Sequence, residues 1–480
     1  MLKTARRGLS WHRRIGVVVI VALGALGLTA CHPNGAHITA TPALYPAFQG
    51  GVTNYVNRCD PNTPTGVHVT APSGVSVSVN GAPAQTGDFT VQVAQDVGQS
   101  FTIAVTNDDA TTSNYVRCLP TDFPAWSAEQ SGPPQAAYYA TVLIEGGAAD
   151  YAAVFDNNGV PVWWLKDRLP TFLLTPLQNK NFAIVRPGFG LEEYDLSGNR
   201  LRRVMTVGIT DFHDVILLPN GNYAMATVEP QSCDLTTWGL TASETCYNHV
   251  FQELTPTGSL VWSWDTAAHI PVTETPEHWR ENHQTVPPDA YDPWHYNSVK
   301  YIGGDFVISF RHLDAVYRIN QATGDIVWKL GGTPHPKSLE LIGDALGGPR
   351  GQHDARPQFD GSVTIYDNGT CAPANGSECG PGRQPRGVRY AVDRDEMTAT
   401  LLEDVRDSGI TGSFCCGSSR RLAGGNWVNG WGGGSEITEN RPDGTRVFRL
   451  SVGFVYRGSP IPPGVFTPTE FRNGMDAQYP

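Results

Sequence analysis

The sequence predicts an all-β fold: a six-bladed β-propeller preceded by a small β-sandwich domain. Three observations carry that prediction. Glycine (52) and proline (36) are abundant, and Asn-Gly, Asp-Gly and Gly-Gly pairs recur along the chain. Past the N-terminus no long stretch has the apolar spacing of a helix. From residue 139 onward a strand–turn–strand pattern repeats, and 480 residues exceed one ordinary core.

Residues 1–30 read as a leader. Lys3, Arg6, Arg7, Arg13 and Arg14 form a basic start, and 15–27 is an apolar run too short to favour a membrane span. Leu28-Thr29-Ala30-Cys31 resembles a bacterial lipobox. That resemblance implies cleavage before Cys31 and a lipid on its sulfur. The expected location is the outer face of the bacterial cell membrane, exported and lipid-anchored, with an ordinary secretory signal as the alternative. Five of the 34 basic residues lie in the leader, leaving 29 against 46 acids, a net −17. Such a charge argues against nucleic acid or anionic lipid headgroups as partners, so any anion site must be a local basic pocket.

Apart from Cys31 there are eight cysteines, an even number in an exported chain. Proximity in sequence suggests Cys59–Cys118, Cys233–Cys246 and Cys371–Cys379. Cys415 and Cys416 are left to bridge each other or to exchange partners with the last pair. No pair has the spacing of a zinc site, and no metal is expected.

Residues 31–50 read as a linker rich in Pro, Ala, Thr and Gly. Residues 51–125 contain short alternating strands (VHVTAP, VSVSVNG, FTVQVA, FTIAVTN) that suit a sandwich tied by Cys59 and Cys118. Residues 136–460 hold six copies of a four-strand unit, and 461–480 form a C-terminal tail. One half of each unit is of the type HDVILLPNGNYAMAT (213–227), the other of the type YRINQATGDIVWKL (317–330). A single copy cannot bury both its faces, and radial closure removes long exposed edges. The pairs Val162-Trp163, Val261-Trp262 and Val327-Trp328 read as packing between copies. The segment 231–292 reads as a loop-rich insertion that is either a rim with aromatic walls or a disulfide-tied surface excursion.

Candidate chemistry sits at the strand entrances. His213, Asn297 (with His295 two residues before it) and His353 occupy equivalent repeat positions, each opening the first strand of its unit. In a propeller those starts converge near the axis. The hairpin from Asp292 to Leu313 turns at Gly303, Gly304 and Asp305, which brings Arg311 back beside His295. A guanidinium is a planar fork of donors matched to a tetrahedral oxyanion. Three histidines, one amide and one arginine, with no carboxylate in phase, suit a phosphate or sulfate site better than a metal.

These motifs (HDVILLPNGN; HYNSVKYIGGDFVISFRH with YRINQATGDIVWKLGG; QHDARPQFDGSVTIYDNG; RLAGGNWVNGW; and FVYR at 454–457) resemble the bacterial arylsulfotransferase family, which uses aryl sulfate donors rather than a nucleotide sulfate. The resemblance spans about residues 139–457. It implies that His353 is the nucleophile and forms a transient sulfohistidine. His213 is then the second active-site histidine, moving protons at the phenolic oxygens. His295, Asn297 and Arg311 would hold the sulfuryl oxygens. It implies an aryl sulfate donor, a phenolic acceptor, ping-pong kinetics and no cofactor. Two other readings compete: a metal-dependent lyase or hydrolase on the same scaffold, and a binding propeller without catalysis.

Overall fold

The computed structural model describes residues 35–108, 110–144, 150–167, 171–186, 188–280, 283–284, 289–370 and 383–480. Cys31, Cys371 and Cys379 lie outside the described residues. Those described are nearly all β, with α-helix confined to Thr266–His269 and Pro468–Gln478. The longer helix begins on a capping box, in which Thr467 and Glu470 satisfy each other's backbone N–H groups.

Two sheets form the N-terminal part. His37–Thr41, Thr65–Ala71 and Gly87–Val93 make one; Asn54–Asn57, Ala110–Cys118, Ser100–Asn107 and Val75–Val79 make the other. Strict alternation along VSVSV and TGVHVTA sends Val67, Val69, Val75, Val77 and Val79 into one shared core. The disulfide Cys59–Cys118 ties this part, as its spacing suggested.

Six antiparallel sheets of four repeat strands then follow in chain order. The second runs through Leu173–Pro176, Phe182–Arg186, Gly190–Tyr194 and Arg200–Val204. The third begins at Ile216–Leu217, the fourth at Tyr296–Ile302, the fifth at His353–Pro357 and the sixth at Ser418–Arg421. Expecting a complete four-strand copy from residue 139 was wrong for the first sheet. It owns three strands, Tyr138–Leu143, Asp150–Asp156 and Pro161–Asp167, and takes its fourth from Ser459–Ile461. The Pro-containing stretch before residue 136 also contributes: Ser127–Gln130 extends the outer edge of the sixth sheet. First and sixth sheets meet through Glu439, whose carboxylate accepts from Tyr139 Oη at 2.8 Å and from the backbone N–H of Ala136 at 3.1 Å. The first and sixth sheets are thus joined: the segment before the first adds a strand to the sixth, and the segment after the sixth adds one to the first.

Trp163 and Trp328 of the Val-Trp pairs are buried, in keeping with packing between sheets. The 231–292 insertion is more ordered than its loop-rich composition suggested. Glu229–Cys233 and Glu244–Asn248 pair, with Cys233–Cys246 bridged between them, and Ala290–Tyr291 joins alongside.

Candidate active site

The site forms where the third, fourth and fifth sheets begin. At His213 the chain reads Asp-Phe-His. Asp211 Oδ1 accepts from the His213 backbone N–H at 2.7 Å and from its Nδ1 at 2.8 Å. At His295 the chain reads Asp-Pro-Trp-His, and Asp292 does the same work: backbone N–H at 3.0 Å, Nδ1 at 2.5 Å. His295 sits in the left-handed region at φ +50°, held there by this double anchor. Each carboxylate fixes the proton on Nδ1 and leaves Nε2 available. The two rings stand 5.2 Å apart, nearly perpendicular.

These carboxylates overturn the expectation of a cluster without them. Asp211 and Asp292 were legible two and three residues before their histidines, but repeat alignment looked only at equivalent positions. His249, from the insertion, lies between them, 3.7 Å from Asp211 and 3.8 Å from Asp292. Burial alone would raise Asp292; His295, His249 and His312 outweigh it and hold the carboxyl well below the usual range.

Arg311 closes the other mouth of the hairpin, as expected. Its backbone N–H donates to the His295 carbonyl at 2.8 Å. The turn is tighter than predicted: Gly303 and Gly304 alone make it, at φ +60° and +89°, and Asp305 already pairs. The guanidinium lies 4.6 Å over the Trp279 ring, donates to the Phe414 carbonyl at 2.8 Å and meets His312 Nε2 at 2.9 Å. It pairs with neither Asp305 nor Asp314; Arg318 takes the first, and His278 and Trp279 the second. Trp279 also stacks on His312 at 4.5 Å, so the insertion does supply an aromatic wall. Trp238 instead packs against Tyr291 within the insertion.

His353 is buried at 2 % exposure. Its Nδ1 faces two acceptors, Asn368 Oδ1 at 2.8 Å and the Gly351 carbonyl at 3.1 Å. The Asn368 amide is oriented by donating to Ser413 Oγ and to the Cys416 carbonyl. Nδ1 therefore carries the proton, and Nε2 holds a lone pair, which accepts the Cys416 backbone N–H at 3.1 Å. Burial, then the Arg311 charge, pushes this imidazole well below its ordinary value, so it is neutral near pH 7. Asn297 is fully buried, with Nδ2 on the Gln352 carbonyl at 2.7 Å and Oδ1 without a protein partner.

Cys415 and Cys416 are free thiols, so the bridge expected between them is not formed, and the alternative exchange with Cys371 and Cys379 lies outside the described residues. The segment is committed to the site instead: Phe414, Cys416 and the peptides between them satisfy Arg311, His353 and Asn368. Phe172, Phe212 and Tyr456 complete a second aromatic wall beside His213, with Phe212 stacked on it at 4.3 Å.

Asp292, His295 and His312 also offer donor atoms close enough to hold a metal ion. The fit is poor. His312 Nδ1 bonds the Asp292 carbonyl at 2.6 Å, its Nε2 faces a guanidinium, and a divalent ion there would lie against the Arg311 charge. What the cluster suits is a small oxyanion on one side and an aromatic ring on the other, with a neutral imidazole between.

Comparison with protein families agrees with that chemistry, and the other comparisons carry no weight on it. Among curated proteins no significant match was found. Solved structures resemble the chain only distantly. A Bacteroides caccae protein of unknown function is 11 % identical at TM-score 0.41, covering 68 % of this chain and 99 % of its own. The β-propeller domain of Myceliophthora thermophila Cps50 (Swd1) is 12 % identical at 0.36, covering 68 % and 89 %. Streptogramin B lyase is 10 % identical at 0.33, covering 76 % and 90 %. The arylsulfotransferase (ASST) family model, by contrast, matches residues 95–440, nearly three quarters of the sequence and every residue of the cluster from His213 to Cys416. The chain belongs to the arylsulfotransferase family.

Proposed function

We propose that this transferase moves a sulfuryl group from an aryl sulfate to a phenol by a ping-pong route, with His353 as the nucleophile. One observation carries the reading: His353 is neutral with its proton locked on Nδ1 by Asn368 and Gly351, and its single Nε2 lone pair, which here accepts the Cys416 N–H, becomes the nucleophile when that hydrogen bond is released. Nε2 attacks sulfur, the N–S bond forms, and the S–O bond to the aryl group breaks. The departing phenolate takes the Nε2 proton of His213, which starts the cycle with protons on both ring nitrogens, its Nδ1–H held by Asp211. A second phenol returns that proton to His213, its oxygen attacks the sulfur, and His353 is released. Arg311, His295 and Asn297 offset charge on the sulfuryl oxygens, Asn297 through its Nδ2 group, since its Oδ1 is an acceptor. Phe172 and Phe212, both half-buried beside His213, offer faces for the aryl rings.

In this reading the six sheets are the blades of a propeller, the N-terminal pair of sheets is a sandwich, and the first strands line the axis. The leader is removed before Cys31, and a lipid there keeps the enzyme outside the cell membrane. The carboxylates at His213 and His295 keep a metal-dependent lyase or hydrolase as a second reading, since such partners also orient metal ligands.

The test is turnover of a chromogenic aryl sulfate with and without an added phenol, in the presence of a chelator. Release that requires the phenol and survives the chelator supports transfer. Release in water alone means a sulfatase, and loss with chelator means the metal reading. Transfer at full rate by His353→Asn removes the assigned nucleophile.

A further inference from the structure

Deeper along the same first strands lies a second cluster that sulfuryl transfer does not use. Strand register places Thr175, Ile216, Lys300, Arg356 and Arg420 in one layer. They pair with Ala183, Ala224, Val307, Thr364 and Val428, which are equivalent positions of the second strands. All five line one cavity of about 220 Å³. Its lining runs on to Leu177, Gln178 and Pro219, past the C-terminal ends of these strands, whereas His213, His295 and His353 stand at their beginnings.

Between the two lies a fully buried layer of carboxylates, Asp214 and Asp354. Asp354 accepts from Arg420 Nε at 3.1 Å and from Arg356 Nε at 2.7 Å. Asp214 lies 3.1 Å from Arg457, 3.4 Å from Lys300 and 3.6 Å from Arg356. Four cations therefore meet two carboxylates. Lys300, Arg356 and Arg420 keep 17 %, 13 % and 20 % of their side-chain surface exposed, so the charge left over faces the cavity, where an anion would balance it. The excess is directed at the cavity, because Lys300, Arg356 and Arg420 line it while Arg457 does not. Thr175 adds a hydroxyl that has no protein partner. Burial already pushes Lys300 down to about 8, against the pull of Asp214. An anion in the cavity would raise it again.

We propose that this cavity is a second anion site, which takes a small doubly charged oxyanion such as inorganic sulfate or phosphate on Lys300, Arg356 and Arg420. Two guanidinium forks and an ammonium supply the donors such an ion needs. The site is distinct from the transfer site; only the event that Arg311→Gln removes and the turnover readout rest on the proposed function.

The experiment is calorimetric titration of the full chain with sodium sulfate, and separately with phosphate, at low ionic strength. Two binding events are expected in the unaltered protein. Arg311→Gln removes one and leaves the other. Lys300→Gln weakens the remaining one at least about tenfold while aryl sulfate turnover persists. Thr175→Glu sets a carboxylate across the cavity from the cations and abolishes that event without removing a partner of Asp214 or Asp354, so it decides the matter where Lys300→Gln disturbs folding. The proposal is overturned if Arg311→Gln abolishes all sulfate binding, or if the folded Thr175→Glu protein binds as the unaltered one does.

Discussion

Asn368 Oδ1 sits 2.8 Å from His353 Nδ1, and the same amide donates to Ser413 Oγ and to the Cys416 carbonyl. One side chain thus sets which nitrogen of the buried imidazole is protonated and also ties that choice to the segment covering it. Asn368→Asp keeps an acceptor on Nδ1 but replaces the donor that orients it. Asn368→Ala removes both. We expect kcat for aryl sulfate transfer to fall about a hundredfold in the alanine variant, with KM changed far less, as for a wrong tautomer. Equal falls in kcat/KM and kcat with an unchanged melting temperature would support a positioning role. A variant that turns over normally would show that Gly351 alone suffices.

Arg311 is held by three unlike contacts: the Trp279 face, the Phe414 carbonyl and His312. A lysine there keeps the charge but loses the planar stack and the fork. Arg311→Lys is expected to lower kcat/KM by about 10²–10³-fold, comparable to removal of one donor from an oxyanion hole. Steady-state kinetics with one donor and a fixed acceptor measures it. Activity within threefold of the unaltered enzyme would mean that charge alone is enough and that the forked geometry is irrelevant.

Cys415 and Cys416 make a chemical probe of the same pocket. Hydrogen bonding from Cys416 and the nearby Arg311 charge lower the Cys415 thiol below its ordinary value, so more of it is thiolate near neutral pH. An alkylating reagent should modify Cys415 faster than a free cysteine in solution. Modification should block transfer by crowding the Phe414–Cys416 segment, and a saturating aryl sulfate should protect. Mass spectrometry of the digested protein identifies the site. Cys415→Ser with normal turnover and no inactivation would assign the effect to this thiol; undiminished inactivation would place it elsewhere.

Much of this site was legible before any coordinates. Asn297 and His353 open equivalent strands, as the repeats implied, and the hairpin does return Arg311 to His295. The repeat pattern found them because periodic packing forces equivalent positions to one rim. It could not find Asp211, Asp292 or Asn368, whose contacts are made by local turns or by a neighbouring strand outside the repeated positions. Trp279 was a candidate wall from the aromatic content of the insertion alone; its place over Arg311 was not legible, because no periodicity connects an insertion to the surface it packs on. The fourth strand of the first sheet was hidden in the same way, since Ser459–Ile461 pairs with Tyr138–Leu143 across more than 300 residues.

Three site imidazoles make stability depend on pH with a defined sign. Burial is the first cause that holds His295, His312 and His353 below the ordinary 6.5. Unfolded, each titrates near that value. As pH falls below about 6.5 the unfolded chain gains protons that the native state refuses, so stability drops. His249 runs the other way. Asp292 and Asp211 raise it against its burial, so its contribution is present below 6.5 and is lost as pH rises through its native value. Asp211 and Asp292, both held below 3.8, add a separate loss only in stronger acid. Between pH 6.5 and about 5 His249 is increasingly protonated in both states and drops out of the slope, so the three lowered imidazoles set it and the melting temperature should fall on acidification. His312→Asn removes one of these three and should flatten that fall by roughly a third. Calorimetric melting temperatures across this window at constant ionic strength provide the measurement. A slope unchanged in His312→Asn would mean that His312 takes up its proton in the folded protein.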